Sequence, residues 1–416
     1  MSLISTSRSG RTPGRRTSAA LAVGAAAALL AACGGSSAST STAGGATSAA
    51  AAAAPGGAAY AGPVGAGEGS LNVLAWPGYA ENGSTDPKVD WVNPFTKESG
   101  CKVNVKTFAT SAEAVQLFNT GGYDVVSASG DASLRLVYGD KIQPVNTALV
   151  PNYADVIDQL KKQPWNSVGE TLYGIPHGRG ANLLLYTKSA YPTAPDSWQG
   201  MFDPASTAKG KISPYDDAMA LADAAVYLMA TQPDLGIKNP YALDQKQFDA
   251  VVALATQQKS LVAEYWGDTT KQATALAAGT VVESQGWQYT ANLANAKGDK
   301  VGAVKPKEGT TGWSDTWMVA KGTKNINCAY KWLDWIVSPK VNAQVAEWFG
   351  EAPSNAKACQ QTTDAKHCDT YHATDTAFWK DVWYWTTPTA TCLDGRTDTT
   401  CVPYEQWVRA WSALRA

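Results

Sequence analysis

Three short stretches decide the fold: Leu-Asn-Val-Leu-Ala at residues 71–75, Val-Asn-Val-Lys-Thr-Phe at 103–108 and Asp-Val-Val-Ser at 124–127. Each predicts a β-strand, because apolar and β-branched residues favour an extended, half-buried backbone. The segments between them, 89–99 and 112–119, have the apolar spacing of helices. Strands that alternate with helices predict a parallel sheet covered by helices.

A second alternating set begins near residue 180. Its predicted strands are 182–188, 210–213, 281–284, 301–304 and 316–320. Its predicted helices are 218–230 and 246–258, followed by 329–337 and 341–349 near a return to the first lobe. The predicted fold class is therefore α/β with two lobes, each a central sheet flanked by helices. Several crossings between such lobes create a cleft, the usual place for a small-molecule site.

The N-terminus has the features of an export signal. Four arginines precede an apolar run at 19–32, and residues 30–33 are Leu-Ala-Ala-Cys. A basic start, a short apolar core and small residues before a cleavage point define a secretory signal, here residues 1–32. The run is too short to span a hydrocarbon core of ~30 Å, which takes ~20 apolar residues. Leu-Ala-Ala-Cys resembles the bacterial lipobox, which implies that Cys33 is acylated (palmitate) and anchors an exported lipoprotein to the outer face of the cell membrane.

Two alternatives for this segment stay open. The first is an ordinary cleaved signal with an incidental cysteine. The second is twin-arginine export, which the pair Arg15-Arg16 suggests, although the hydrophobic residues that usually follow such a pair are missing.

Residues 34 to about 68 are almost entirely Gly, Ser, Ala, Thr and Pro. Such a chain cannot bury enough apolar surface to offset its conformational entropy, so 33–68 is predicted to be the acylated cysteine and a flexible tether. Its r.m.s. reach is roughly 30–35 Å, which lets a globular body move above a membrane surface.

Charge and composition narrow the class of ligand. The formal charge is −2, and it becomes about −6 without the first 32 residues, which hold four Arg and no acid. An acidic body without a basic patch argues against nucleic acid and mildly favours cationic ligands. The chain has 16 Trp and 17 Tyr against 7 Phe, and Trp and Tyr suit wet binding surfaces because they combine an apolar face with a polar group.

Six cysteines remain after Cys33, and an even number in an exported chain suggests disulfides. Close spacing makes Cys359–Cys368 and Cys392–Cys401 the simplest pairs, which leaves Cys101–Cys328 to join distant segments. Fifteen full pairings are nevertheless possible. A zinc site is the less favoured alternative, because no Cys-x-x-Cys pair is present.

Several motifs of the body resemble the spermidine/putrescine-binding family, the substrate-binding lipoproteins of ABC importers. The resemblance covers about residues 70–358 and is less clear beyond them. The motifs are Leu-Ala-Trp-Pro-Gly-Tyr at 74–79, Tyr-Asp-Val-Val-Ser-Ala-Ser at 123–129, Tyr-Gly-Ile-Pro at 173–176, Asp-Ser-Trp at 196–198, Lys-Gly-Lys-Ile at 209–212, Tyr-Asp-Asp at 215–217 and Gln-Gly-Trp at 285–287. The most specific stretch is Lys-Pro-Lys-Glu-Gly at 305–309 followed by Gly-Trp-Ser-Asp at 312–315.

This resemblance implies the type II periplasmic-binding-protein fold, a two-lobed Venus flytrap. We expect lobe 1 at 69–177 with a return at 313–358, lobe 2 at 178–312, and a disulfide-containing tail at 359–416 that packs on lobe 2. The implied function is capture of a polyamine, or a related small amine, between the lobes and delivery to ABC permease subunits. We expect a monomer with no cofactor, no metal and no catalytic residue.

The resemblance also supplies the expected ligand site. Four aromatic residues enclose the carbon chain of the ligand: Trp76, Tyr79, Trp287 and Trp313. Asp315 pairs with the ammonium group, and Ser129 contacts the ligand. An aromatic face holds an alkylammonium with ~0.5–2 kcal/mol, and a close carboxylate adds Coulomb attraction. Trp313 and Asp315 are two residues apart and therefore face the same side of a strand.

Four further candidates mark departures from the family pattern: Asp131, Arg179, Asp217 and Glu351. Asp217 belongs to the second-lobe motif, whereas the family's acid three positions later falls on Ala220. Asp131 and Glu351 replace cleft tyrosines, and they either compensate for the lost acid or lie at a solvated rim. Arg179 would bind a carboxylate bidentately in the cleft, and the ligand is then a zwitterionic ω-amino acid or betaine-type molecule. Otherwise Arg179 is a surface or hinge residue paired with an acid.

Two other classes of function compete with solute binding. The chain has only three histidines and contains neither a Gly-x-Ser-x-Gly elbow nor a Walker A motif, which disfavours a secreted hydrolase or other enzyme. An adhesion or scaffold lipoprotein would bind no small molecule tightly and would not close its lobes.

Overall fold

The structure is a computed structural model that describes residues 55–416. The predicted signal peptide, the lipid-accepting Cys33 and the first part of the predicted tether lie outside the described residues.

Residues 55–416 form sixteen strands and thirteen α-helices. The strands are β1 Ser70–Ala75, β2 Lys102–Thr107, β3 Val125–Ala128, β4 Ile142–Gln143, β5 Ser167–Val168, β6 Thr171–Leu172, β7 Gly174–Pro176, β8 Gly178–Ala181, β9 Leu183–Thr187, β10 Ile212–Ser213, β11 Glu283–Gly286, β12 Val301–Val304, β13 Thr310–Trp313, β14 Thr316–Ala320, β15 Ala352–Pro353 and β16 Val382–Tyr384. The helices are α1 Val92–Ser99, α2 Ser111–Asn119, α3 Gly130–Tyr138, α4 Gln199–Phe202, α5 Ala220–Thr231, α6 Gln245–Gln258, α7 Thr269–Ala278, α8 Gln288–Ala294, α9 Ile326–Ile336, α10 Pro339–Phe349, α11 His367–Thr370, α12 Thr376–Trp379 and α13 Tyr404–Arg415.

The first sheet has the order β2-β1-β3-β14-β4, and β7 also pairs with β14. Strand β1 is parallel to β2 and β3, with Val73 opposite Val125. Strand β14 returns from far along the chain and runs antiparallel to β3, with Thr316 opposite Ala128. The predicted parallel pairing is therefore confirmed for the three strands that open the body.

The second half contains two smaller sheets, β10-β11-β9-β12 and β15-β8-β13-β16. Strand β10 is parallel to β11, and β9 runs antiparallel to both β11 and β12. Helices α5 and α6 pack over this region around Trp198, Phe248 and Trp407, which are buried. The α/β fold class predicted from the sequence is confirmed.

Three disulfides join the pairs expected from the sequence: Cys101–Cys328, Cys359–Cys368 and Cys392–Cys401. Their Cα atoms lie 5.8, 5.9 and 5.1 Å apart, within the range that a disulfide requires. The first bridge spans 227 positions of sequence and ties the segment before β2 to helix α9. With these cysteines paired, the zinc alternative has no thiolate ligands among residues 55–416.

The predicted tether differs from the structure over residues 55–68, which pack against the body. The ring of Tyr60 lies 5.7 Å from that of Tyr330. The Gly65 amide donates to the Asn327 side chain at 2.7 Å, and Glu68 accepts from the Cys328 amide at 2.9 Å. The prediction of flexibility up to residue 68 is therefore wrong for 55–68, because a few side chains in a small-residue stretch supply specific contacts.

The C-terminal tail contacts more of the body than the sequence suggested. Strand β16 extends the sheet of β13, and helix α13 packs on α6 with the rings of Trp407 and Phe248 5.6 Å apart. The tail also reaches helix α3, which follows β3 of the first sheet, where the Thr387 hydroxyl donates to the Asp131 carbonyl at 2.7 Å. It therefore holds both halves of the body. Among the helices of the described part, none is long and apolar enough to cross a bilayer.

Candidate functional site

A cavity of about 490 Å³ opens where several strands end. Trp76 follows β1, Ser129 follows β3 and Trp287 follows β11, and all three line the cavity. In open α/β sheets, ligands bind beside the carboxyl ends of strands, because the loops there face a common crevice. Trp313 and Asp315, which flank the turn from β13 to β14, complete the set of predicted residues that line it.

Asp315 supplies the buried negative charge of the cavity. Its side chain is only 2% exposed, and it accepts hydrogen bonds from the Ser129 hydroxyl and, at 2.7 Å, from the Tyr79 hydroxyl. Burial raises the pKa of Asp315 to about 6, although both hydrogen bonds act against this shift. At neutral pH the carboxyl is therefore ionised in a place where water solvates it poorly, and a bound cation would relieve this cost.

Tyr79 and Glu351 lie behind Asp315 and do not line the cavity. The Tyr79 hydroxyl is 2.7 Å from Asp315 and 2.9 Å from Glu351, yet a hydroxyl has only one proton to donate. Burial, followed by the charge of Asp315, raises the pKa of Glu351 well above its ordinary value. A protonated Glu351 can donate to Tyr79, which then donates to Asp315. The two residues thus orient the Asp315 carboxylate.

His177 lies beside Glu351, at the end of this group of side chains that is opposite to Asp315. Its Nδ1 accepts from the Trp317 indole at 3.0 Å, so the neutral ring has its proton on Nε2, which lies 3.4 Å from Glu351. Burial lowers the pKa of His177 to about 3, and the ring is therefore uncharged at neutral pH. The net charge of the network formed by Asp315, Tyr79, Glu351 and His177 then resides on Asp315.

Aromatic rings form a continuous wall around this anion. Centroid distances are 6.3 Å for Trp313–Trp287, 5.2 Å for Trp287–Trp266, 4.7 Å for Trp266–Tyr215 and 5.8 Å for Tyr215–Trp385. All are within the range of aromatic pair contacts. Such faces attract alkylammonium groups because the ring quadrupole is negative above its plane.

A polar network fixes the orientation of Trp287. Its indole donates to the Asn182 side chain at 2.9 Å, Asn182 donates to Thr311 at 2.6 Å, and Thr311 donates to Asp223. Burial raises the pKa of Asp223 to about 7. Because each member is restrained by the next, the indole face presented to the cavity is held in one position.

The charged residues that line the cavity are all acidic. They are Glu81, Asp268 and Asp315, and no Lys, Arg or His belongs to the lining in the described part of the chain. The Asp268 side chain also accepts from the Lys271 amide at the start of α7, so this acid serves as a helix cap. The lining therefore favours a cation and offers no ionic partner to a ligand carboxylate.

Asp131 and Asp217 lie away from the cavity lining. Asp131 is buried and accepts from the Ser111 hydroxyl at 3.3 Å, and half-buried Asp217 accepts from the Met219 amide at 2.8 Å. Burial, followed by the charge of Asp217, raises the pKa of Asp131 to about 7; burial raises the pKa of Asp217 to about 6. The nearby Arg135 opposes both shifts. Neither acid lines the cavity; Asp131 lies in helix α3, where the Thr387 hydroxyl of the tail donates to its carbonyl at 2.7 Å.

Arg179 also lies outside the cavity, beneath the tail. It is 3% exposed, donates to the Ala373 carbonyl at 3.0 Å and stacks over the ring of Trp379 at 4.1 Å. Burial lowers its pKa. Within residues 55–416, no carboxylate forms an ion pair with Arg179. Its position therefore matches neither of the two predicted roles, an arginine that faces the cavity or a surface arginine paired with an acid. The tail, which sequence reasoning did not place here, explains the difference.

Several cavity residues were not identified from the sequence. They are aromatic residues of other segments: Phe108, Tyr215, Trp266, Tyr289, Trp348, Phe349 and Trp385. The excess of Trp and Tyr was a signal for an aromatic site, but it could not tell lining residues from core residues.

Comparison with known proteins agrees with this architecture. Residues 90–372 match the family model described as bacterial extracellular solute-binding protein. The spermidine/putrescine-binding periplasmic protein of Escherichia coli (strain K12) is 26% identical over 268 residues, which cover 64% of this chain and 73% of that protein.

Two solved structures share the fold. The spermidine/putrescine ABC transporter substrate-binding protein PotD from Streptococcus pneumoniae superimposes with a TM-score of 0.64 at 18% identity, covering 83% of this chain and 97% of that one. The Tp0655 (TpPotD) lipoprotein of Treponema pallidum gives 0.61 at 17% identity, covering 83% and 99%.

The fold is the two-lobed fold of the periplasmic binding proteins. The chain belongs to the bacterial extracellular solute-binding protein family. Proteins of this family serve ABC transporters outside the cytoplasm and are not enzymes. The enzyme alternative is thereby excluded.

Proposed function

We propose that this protein captures a cationic amine, a polyamine of the spermidine or putrescine type or a related small amine, and delivers it to an ABC permease. The observation that carries the proposal is the buried carboxyl of Asp315, whose pKa is about 6, in a cavity lined by aromatic rings. Within the described residues, every charged side chain that lines this cavity is acidic. The name of the Escherichia coli relative supports the same class of ligand.

The ammonium group is proposed to pair with Asp315, and the indole faces of Trp287 and Trp313 to contact the carbon chain. The cavity receives residues from segments far apart in sequence, so a ligand contacts both halves of the body. It can favour the closed form because a ligand shifts a conformational equilibrium by its differential affinity for the two states. Proposed lobe boundaries remain 69–177 with 313–358 for one lobe and 178–312 for the other.

A zwitterionic ω-amino acid or betaine gains no support from the position of Arg179, which the tail covers. A ligand carboxylate would meet acidic side chains in the cavity instead of a cation. We therefore keep the amine as the single candidate class.

The test is calorimetric titration and thermal-shift screening of the exported body with diamines, spermidine, monoamines, ω-amino acids and betaines. At ~100 times its dissociation constant, the true ligand should stabilise the fold by ~2.7 kcal/mol. Binding of amines at pH 8 and not of ω-amino acids is the expected result. Failure of every amine to bind, or tighter binding of a zwitterion, would show that the proposed function is wrong.

We further propose that the body is a monomer tethered to the outer face of the membrane through acylated Cys33. The lipobox-like Leu-Ala-Ala-Cys sequence at 30–33 supports the anchor. A tethered, closed, ligand-loaded body could then meet its permease without diffusing away from the cell.

A further inference from the structure

Trp385 lies in the C-terminal tail, beyond residue 372 where the match to the family model ends. Its side chain is 4% exposed and belongs to the lining of the ligand cavity. Its ring is nearly parallel to that of Tyr215, at 8°, with the centroids 5.8 Å apart. The tail therefore contributes one aromatic ring to the cavity lining.

The backbone of Trp385 is held between the two segments that carry the anion site. Its amide donates to the Gly312 carbonyl at 2.7 Å, three residues before Asp315. On the other side, its carbonyl oxygen lies against Gly130, the residue after Ser129, where an added Cβ would be 2.1 Å away. Only a residue without a side chain fits there, so the tail and the Ser129 loop are packed to suit one another.

Neighbouring tail residues reinforce this position. The Trp383 carbonyl accepts from the Tyr241 hydroxyl at 2.8 Å, and the ring of Tyr384 stacks on that of Trp165 at 4.3 Å. The Thr387 hydroxyl donates to the Asp131 carbonyl at 2.7 Å. Because both flanks of Trp385 are anchored, its backbone is held at the cavity, and the indole packs there against the ring of Tyr215.

We propose that Trp385 is a ligand-contacting residue that sets the size selectivity of the cavity, so that the tail, and not only the two lobes, decides which amines bind. The indole face contacts the carbon chain next to the bound ammonium, and the ring fills space that a bulkier amine would need. This inference rests on the proposed function, since it assumes an ammonium ligand.

The test compares Trp385→Ala with Trp383→Ala in the full exported body. Trp383 is the matched control because it is a partly buried tryptophan in the same tail segment and does not line the cavity. The probes are 1,4-diaminobutane, a slim amine, and 2-phenylethylamine, a bulky one, each titrated calorimetrically at pH 8.

Trp385→Ala should weaken 1,4-diaminobutane about 2- to 30-fold, the loss of one aromatic face on a cation. It should also raise the affinity for 2-phenylethylamine relative to 1,4-diaminobutane at least tenfold, because the cavity gains the volume of an indole. Trp383→Ala should leave both affinities within about twofold. Trp385→Phe, which keeps a ring, should fold normally and show a smaller shift in the same direction.

The outcomes separate this inference from the proposed function. If amines bind the parent but Trp385→Ala and Trp385→Phe leave the ratio of the two affinities unchanged, the inference is wrong and the proposed function stands. An equal shift in Trp383→Ala would also overturn it, since the effect would then be a general one of the tail. If no amine binds the parent, the proposed function is wrong, and this inference, which assumes an ammonium ligand, is wrong as well.

Discussion

Replacing Asp315 with asparagine should weaken ligand binding and stabilise the empty protein at the same time. Asparagine has nearly the same shape and can still bond to the hydroxyls of Ser129 and Tyr79, so the change removes the charge and little else. A buried cation left without its partner costs about 2–5 kcal/mol. That cost corresponds to about 30- to 5,000-fold weaker amine binding.

The stabilisation follows from the pKa of Asp315, which burial raises from its ordinary value of 3.8 to about 6. A carboxyl whose folded pKa is raised favours folding when protonated, and this contribution is lost as the pH rises from about 4 to 6. At pH 8 the ionised group therefore costs roughly 3 kcal/mol, at 1.36 kcal/mol per pKa unit. A neutral asparagine side chain would not incur that cost, so Asp315→Asn should unfold at a higher denaturant concentration than the parent.

The assay is urea unfolding without ligand at pH 5 and pH 8, together with calorimetric titration of the best-binding amine at pH 8. Asp131→Asn is the matched control, because Asp131 is a buried acid with a pKa raised to about 7 that lies outside the cavity. It should gain stability at pH 8 and keep its amine affinity within about threefold. Unchanged affinity in Asp315→Asn would refute the proposed anion site, and lower stability at pH 8 would refute the electrostatic reasoning.

Three further predictions concern the whole molecule. The ligand-free parent should lose stability as the pH rises from 4 to 7, since burial raises the pKa of Asp131 and of Asp223 to about 7 and that of Asp315 to about 6. Together these shifts outweigh the opposite effect of His177, whose pKa burial lowers to about 3, and urea midpoints across this range will test the prediction. Gly130→Ala should destabilise the fold by about 1–3 kcal/mol and expose the tail to proteolysis, because the new Cβ meets a tail carbonyl oxygen at 2.1 Å; Gly267→Ala, where a Cβ meets nothing within 4 Å, should do neither. Cys33→Ser should release the protein from membranes, because it removes the cysteine that carries the proposed acyl chains, and stable anchoring depends on several such chains. Membrane association equal to that of the parent in cell fractionation would contradict the anchor.

The sequence predicted the strand framework well because its signals are local. The predicted strands 301–304 and 316–320 coincide with β12 and β14. Predicted β1 and β3 differ from the observed strands by one residue at their ends, where the strands give way to loops. A short apolar or β-branched run bounded by turn residues indicates a strand from local sequence, without knowledge of distant contacts.

The candidate site was predictable only where a motif carried it. Trp76, Trp287 and Asp315, which the motifs singled out, line one cavity, and their contact with a ligand stays a prediction. The position of Arg179 was not predictable, because the residues that cover it come from a tail about 195 positions further on. Trp385 was missed for the same reason: whether a tryptophan lines a cavity or fills a core depends on contacts between distant segments, and composition does not report them.

The buried acids of this protein lower its folding stability, and a bound cation can offset that effect at Asp315. Asp315, Glu351 and Asp131 all have raised pKa values, because burial removes them from water. A fold selected for stability alone would replace such groups with apolar residues, because a buried charge without a partner opposes folding. Under the proposed function, an ammonium ligand at Asp315 would provide the missing partner, and its binding energy would be largest in the conformation that excludes water most completely. The same uncompensated charge that weakens the empty protein would then give a cationic ligand its preference for the closed form.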